Sequence, residues 1–118
     1  NLEKQAKRWA LTKKHGHVVN VYSYTKDDSL NTLVFNEMTD EWLDFVVNCR
    51  RGKTHDYDCV EGPMADDTIW NYVDDFVRGL ITREAFWELV KFKYPTHQIV
   101  FCTEESLKQL CFERSYSL

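Results

Sequence analysis

Proline and glycine are scarce, at two and four residues in a chain of 118. Flexible linkers and Gly-rich repeats need roughly a quarter or more of the chain in such residues, so both are excluded. No apolar run approaches the ~18 residues of a membrane-spanning helix, and the first residues lack the basic-then-apolar order of a signal peptide. Gly-x-Ser-x-Gly, a phosphate-cradling Gly-rich loop and Cys-x-x-Cys are all missing. Basic residues do not dominate either. With 15 Lys and Arg against 19 Asp and Glu the net charge is -4, which argues against a scaffold for a phosphate backbone. The initiating Met is also lacking, and Asn1 opens inside a helical pattern. A preceding segment is therefore expected to be missing.

What is present is core material. Apolar residues make up 43% and aromatics 14% of the chain, enough for one packed domain over residues 1–118. The four cysteines, Cys49, Cys59, Cys102 and Cys111, each lie in an apolar or helical run. They are expected to be buried thiols of a cytoplasmic protein.

Apolar spacing predicts a helix through Leu2, Ala6, Trp9 and Ala10, ended by Gly16. His17–Tyr24 is β-branched and aromatic and predicts a strand, and Thr32–Phe35 a second, short one. Thr39 is placed to cap a helix with Asp40 and Glu41 in its first turn, a buried stripe of Trp42, Phe45, Val46 and Cys49, and Arg50, Arg51 and Gly52 at its end. Asp56–Glu61 predicts a strand stopped by Gly62-Pro63. Asp66 or Asp67 caps the next helix, with Ile69, Val73, Phe76 and Val77 inward, and Gly79 closes it. A further helix starts at Thr82, with Ile81 and Phe86 as a hydrophobic staple and Phe86, Leu89 and Val90 as its stripe; it ends before Pro95. Gln98–Cys102 predicts a strand, Thr103 caps a short helix through Leu110, and Phe112–Tyr116 is a final edge strand. The order lacks a βαβ rhythm, so the class is α+β.

Two stretches together carry a resemblance. Trp42-Leu-Asp-Phe-Val-Val-Asn-Cys-Arg50 and Asp56-Tyr-Asp-Cys-Val-Glu-Gly-Pro-Met-Ala-Asp-Asp67 resemble a bacterial family of unknown function that is itself similar to ADP-ribosyltransferases. Its pattern is W-L-x-F-x-x-x-N-R, then Y-D-x-V-x-G-P-x-A-D-D, then Q-[IV]-x-F-x-T. Gln98-Ile-Val-Phe-Cys-Thr103 matches the third element, and Gln5-Ala6 with Trp9-Ala10 matches a leading Q-A-x-x-W-A helix. One departure is Cys49, which separates Asn48 from Arg50. The resemblance covers nearly all 118 residues. It implies mixed or antiparallel sheets with several flanking helices, and NAD as a substrate. It also implies that strands bearing a histidine and a tyrosine precede the chain.

On that resemblance the chain is part of an NAD-dependent mono-ADP-ribosyltransferase, inactive or nearly so alone. Gln98 takes the catalytic position where related transferases carry Glu. Breaking the nicotinamide–ribose bond passes through an oxocarbenium-like state in which hydrogen bonds to the sugar hydroxyl strengthen. A carboxamide oxygen accepts such a bond but brings no full charge. The resemblance also implies that Asn48, Arg50, Asp66 and Asp67 contact the cofactor. Arg50 has the planar fork that suits a pyrophosphate.

Each has a plain structural alternative. Gln98 is otherwise an exposed strand start. Asp66 and Asp67 suit an N-cap, and Arg50 suits a helix C-terminus or an ion pair with Asp56 or Asp58. His55-Asp-Tyr-Asp58 and His15-Gly-His17 alternate faces too strongly to converge on a metal ion. The acceptor of ADP-ribose is unknown. Nucleic acid is left open as an acceptor, and no membrane is involved. The competing reading is a non-catalytic interaction or nucleotide-binding domain, of the kind found in toxin–antitoxin or phage-defence pairs.

Overall fold

A computed structural model describes residues 2–118. The protein is α+β, with five helices, a two-stranded sheet and a three-stranded sheet among the described residues. In chain order the elements are α1 (Glu3–Leu11), β1 (Val18–Tyr24), β2 (Thr32–Val34), α2 (Asp40–Arg50), β3 (Cys59–Pro63), α3 (Asp67–Val77), α4 (Arg83–Val90), β4 (His97–Phe101), α5 (Glu104–Leu107) and β5 (Leu110–Ser117). β1 and β5 form an antiparallel ribbon with a bulge after Val21. β2 runs parallel to β3, and β4 runs antiparallel to β3 on its other side.

The caps fall where side-chain oxygens were expected. Thr39, Asp66, Thr82 and Thr103 each accept a backbone N–H from the first turn of their helix, satisfying donors that the helix leaves without partners. Three helices then build the core. Trp42, Leu43 and Val47 of α2 meet Ile69 and Val73 of α3 and Phe86 and Val90 of α4. Ile81 packs against the same cluster, in keeping with a staple to Phe86. Across its surface Arg83 pairs with Asp40 and Asp44 at 3.2 and 2.7 Å, and the Trp87 indole donates to Asp40 at 2.8 Å.

Several sequence expectations are corrected. The strand expected at Asp56–Glu61 is Cys59–Pro63, so Gly62-Pro63 ends the strand from within. Pro63 has no N–H to give, and the Met64 N–H donates to the Thr96 carbonyl instead. In α2 the enclosed residues are Trp42, Leu43 and Val47, whereas Phe45 and Val46 are half-buried and Cys49 is exposed. Their face looks onto an open cleft rather than a closed core. Leu89 is exposed as well. α1 buries Ala10 alone, leaving Leu2 and Trp9 in solvent. All four thiols are free, yet only Cys59 is buried; Cys49 and Cys102 are exposed where they line a cleft, and Cys111 is exposed on β5. The last helix is one short turn and the last strand longer than expected.

One buried hydrogen bond joins the helical core to the sheet. The Trp42 indole N–H donates to the Pro63 carbonyl at 3.2 Å. Trp42→Phe keeps most of the apolar volume and leaves that carbonyl unpaired, so stability falls by about 1–3 kcal/mol in urea unfolding. The Asp40 carboxyl is held below its ordinary range by hydrogen bonds from Trp87 and then Arg83. A depressed folded-state value means this tie is intact above the unfolded carboxyl's range and is lost as pH falls through the folded value. Melting temperature should therefore drop more steeply on acidification in the wild type than in Asp40→Asn.

Candidate functional site

Residues on one face of a β-strand alternate, so Gln98 and Val100 of β4 look to the same side as Val60 and Gly62 of β3. α2 lies over that side. Phe45, Val46, Cys49 and Arg50 descend from it, and Trp70 of α3 closes one end. Between helix and sheet is a cleft of about 440 Å³, within the usual range for small-molecule sites. Its walls are largely aromatic and apolar, with Trp42, Phe35 and His55 completing them.

Gly62 makes the floor. It stands opposite Gln98 in the β3–β4 register, so no neighbouring side chain covers the Gln98 carboxamide. A Cβ at Gly62 would sit 3.1 Å from the Phe35 Cβ and 3.3 Å from the Phe35 carbonyl oxygen. Phe35 is fixed there because its N–H donates to the Glu61 carbonyl at 2.8 Å, prolonging the β2–β3 pairing. The Gln98 side chain is exposed and has no hydrogen-bond partner among the described residues.

Arg50 sits on the opposite wall. It lies over the Trp70 ring at 5.2 Å and reaches Asp74 at 3.3 Å. The expected pairing with Asp56 or Asp58 does not form. Asp58 is taken up by the Asn31 N–H at 3.0 Å and the Thr103 hydroxyl at 2.8 Å. Nearly half of the Arg50 side chain is exposed, where a cation–π contact gives ~0.5–1 kcal/mol and an ion pair rarely more than ~1 kcal/mol. Such weak holds leave the guanidinium free to turn toward an anion in the cleft.

Other sequence candidates fall outside. Asp66 caps α3 through the Ile69 N–H at 2.9 Å, and Asp67 is exposed in the first turn. Asn48 is exposed on α2. None of these three lines the cleft. The motif residues therefore divide: Gln98 and Arg50 come together, while Asn48, Asp66 and Asp67 do not join them.

The chain belongs to the family described as Protein of unknown function (DUF3990). That family's profile matches residues 1–112, and neither a curated protein nor a solved structure matches the chain.

Within this DUF3990 domain the cleft also includes Trp70, which the sequence did not single out, and His55, which the sequence suggested only as an unfavourable metal ligand. Trp70 lies off the Ile69–Val73 stripe, and a large aromatic beside a buried stripe is the signal that marked it. His55 packs its ring 5.3 Å from Phe45 and accepts the Tyr57 N–H through Nδ1 at 3.1 Å. That use of Nδ1 puts the proton of the neutral ring on Nε2, as a donor. The Cys49 and Cys102 thiols are pushed up by burial, so at neutral pH they are protonated and poor nucleophiles. The cleft therefore offers an aromatic slot, a carboxamide, an imidazole donor and a partly exposed guanidinium. Gly62→Ala should destabilise the DUF3990 domain by about 1–3 kcal/mol, since Phe35 must yield along its backbone. Chemical unfolding of the variant measures this.

Proposed function

We propose that the cleft is the NAD site of a mono-ADP-ribosyltransferase, with Gln98 holding the reacting ribose. The observation that carries this reading is that Gln98 and Arg50, from two separate motifs, meet across one aromatic-walled cleft. The other support is the motif resemblance.

In this reading a planar ring enters between the aromatic walls and Arg50 turns from Asp74 to the pyrophosphate, where its fork makes paired charge-assisted bonds. The unpartnered Gln98 carboxamide oxygen accepts a ribose hydroxyl. As the nicotinamide–ribose bond breaks, the leaving nicotinamide takes the bonding pair and the sugar becomes cationic. The hydroxyl then grows more acidic and its bond to Gln98 strengthens. A carboxamide stabilises that cation less than a carboxylate does, so a slow reaction is expected. The acceptor of ADP-ribose is open, and the histidine and tyrosine that the resemblance implies are not matched within residues 1–118.

The test is nicotinamide release from NAD by residues 1–118 and by a longer protein that supplies the histidine and tyrosine strands the resemblance implies. Residues 1–118 alone should release little. In the longer protein Gln98→Ala should reduce release by about 10²-fold or more, and Gln98→Glu should raise it by about tenfold. Absence of both NAD binding and release would remove the transferase reading in favour of an interaction domain. Binding that survives with no release in any variant would favour a nucleotide-binding domain without chemistry.

A further inference from the structure

A second cavity lies on the other side of the β3–β4 pair. Glu61 of β3 stands opposite Ile99 of β4, so both face away from the side that carries Gly62 and Gln98. The ribbon meets this second side. Tyr22 and Tyr24 are two residues apart on β1 and share one of its faces, and the Tyr24 ring meets Phe101 of β4 edge-on at 6.0 Å. Between the two sheets is a space of about 280 Å³, walled by Tyr22, Tyr24, Phe101, Glu61 and His97. That is just below the ~300–1,000 Å³ of a site for a drug-sized ligand, so it suits one side-chain group rather than a whole nucleotide.

Glu61 is the telling member of this wall. It is half-buried, and its carboxylate has neither an ion pair nor a hydrogen-bond partner among the described residues. The Tyr24 phenol is pushed up by burial first and then by Cys59 and Glu61, so Glu61 lies within electrostatic reach of that ring.

This chemistry narrows what can fill the space. An anion is repelled by Glu61, and an apolar group would strip water from a carboxylate and return nothing. Among the described residues no group of three or more His, Cys, Asp or Glu could hold a metal ion. An organic cation satisfies both parts of the wall, with its charge on Glu61 and its body against the tyrosines. An ammonium is a strongly hydrated point charge, and a quaternary ammonium has no N–H to give. A guanidinium is planar, less hydrated and forked, so it can pair with both carboxylate oxygens while it lies against an aromatic ring.

We infer that the cavity between the ribbon and the β3–β4 pair binds a guanidinium group, held by Glu61 and flanked by Tyr22 and Tyr24. The group belongs to an arginine side chain of a peptide or to the free amino acid. The proposal does not rest on the transferase reading.

Titrating Nα-acetyl-arginine methylamide into isotope-labelled protein should shift the ring resonances of Tyr22 and Tyr24, with a Kd on the order of 1 mM. The neutral citrulline analogue should not bind, and the lysine analogue should bind about tenfold more weakly. Glu61→Gln should weaken the arginine derivative about tenfold or more. Should that variant unfold, Tyr22→Leu decides independently, because Tyr22 is 52% exposed; it should weaken binding about threefold. Free arginine separates the two sources: a tighter capped derivative assigns a peptide side chain, and a tighter free amino acid assigns the small molecule. Any of four results overturns the proposal: no binding of the arginine derivative, equal binding of the citrulline or lysine analogue, unchanged affinity in a folded Glu61→Gln or Tyr22→Leu variant, or shifts centred instead on the Trp42 and Trp70 indoles of the cleft.

Discussion

The Trp42 indole N–H on the Pro63 carbonyl is the contact on which the cleft depends. It is buried and 3.2 Å long, and it ties the first turn of α2 to the last residue of β3. Thr39 sets where α2 starts by accepting the Trp42 N–H at 3.2 Å. With its start pinned to the strand, the helix packs Leu43 and Val47 against α3 and α4. Phe45, Val46 and Cys49 are thereby held over the sheet without closing on it. A proline is suited to this point: it takes no N–H from the ladder, and its carbonyl is free for the indole.

A second close contact shapes the cleft. Gly62 lets Phe35 approach the strand, since a Cβ there would lie 3.1 Å from the Phe35 Cβ, and both residues line the cleft. Gln98 stands opposite Gly62. Energetic scale distinguishes the two ends of Arg50: its exposed ties to Trp70 and Asp74 are each worth about 1 kcal/mol or less, far below the cost of leaving a buried group unpaired. Arg50 is held on the cleft wall by these two exposed contacts alone among the described residues.

Much of this was legible in the sequence, and the reasons are local. Caps depend on a side chain and the next three residues, so Thr39 and Thr103 could be read directly, Asp66 as one of a pair with Asp67, and Thr82 as a helix start. Period also gave Ile69 and Val73 of α3 and Phe86 and Val90 of α4, though not the exposure of Leu89. What could not be read depends on partners distant in the chain. Arg50 chose Asp74 over Asp58 because Asn31 and Thr103 already hold Asp58. Periodicity marks which residues share a face but not whether that face meets a core, a cleft or solvent. Cys49 and Trp9 were misjudged for that reason. That Gln98 and Arg50 line one cleft was legible only as shared membership of a motif set; the β3–β4 register that turns Gln98 toward it appears only in the fold.

The most direct test of the account is to titrate NAD into isotope-labelled protein and follow side-chain resonances. The account predicts shifts confined to the indole N–H groups of Trp42 and Trp70, the Gln98 carboxamide and the Arg50 guanidinium, with Asn48, Asp66 and Asp67 unmoved. Shifts centred elsewhere, or none at saturating NAD, would contradict it.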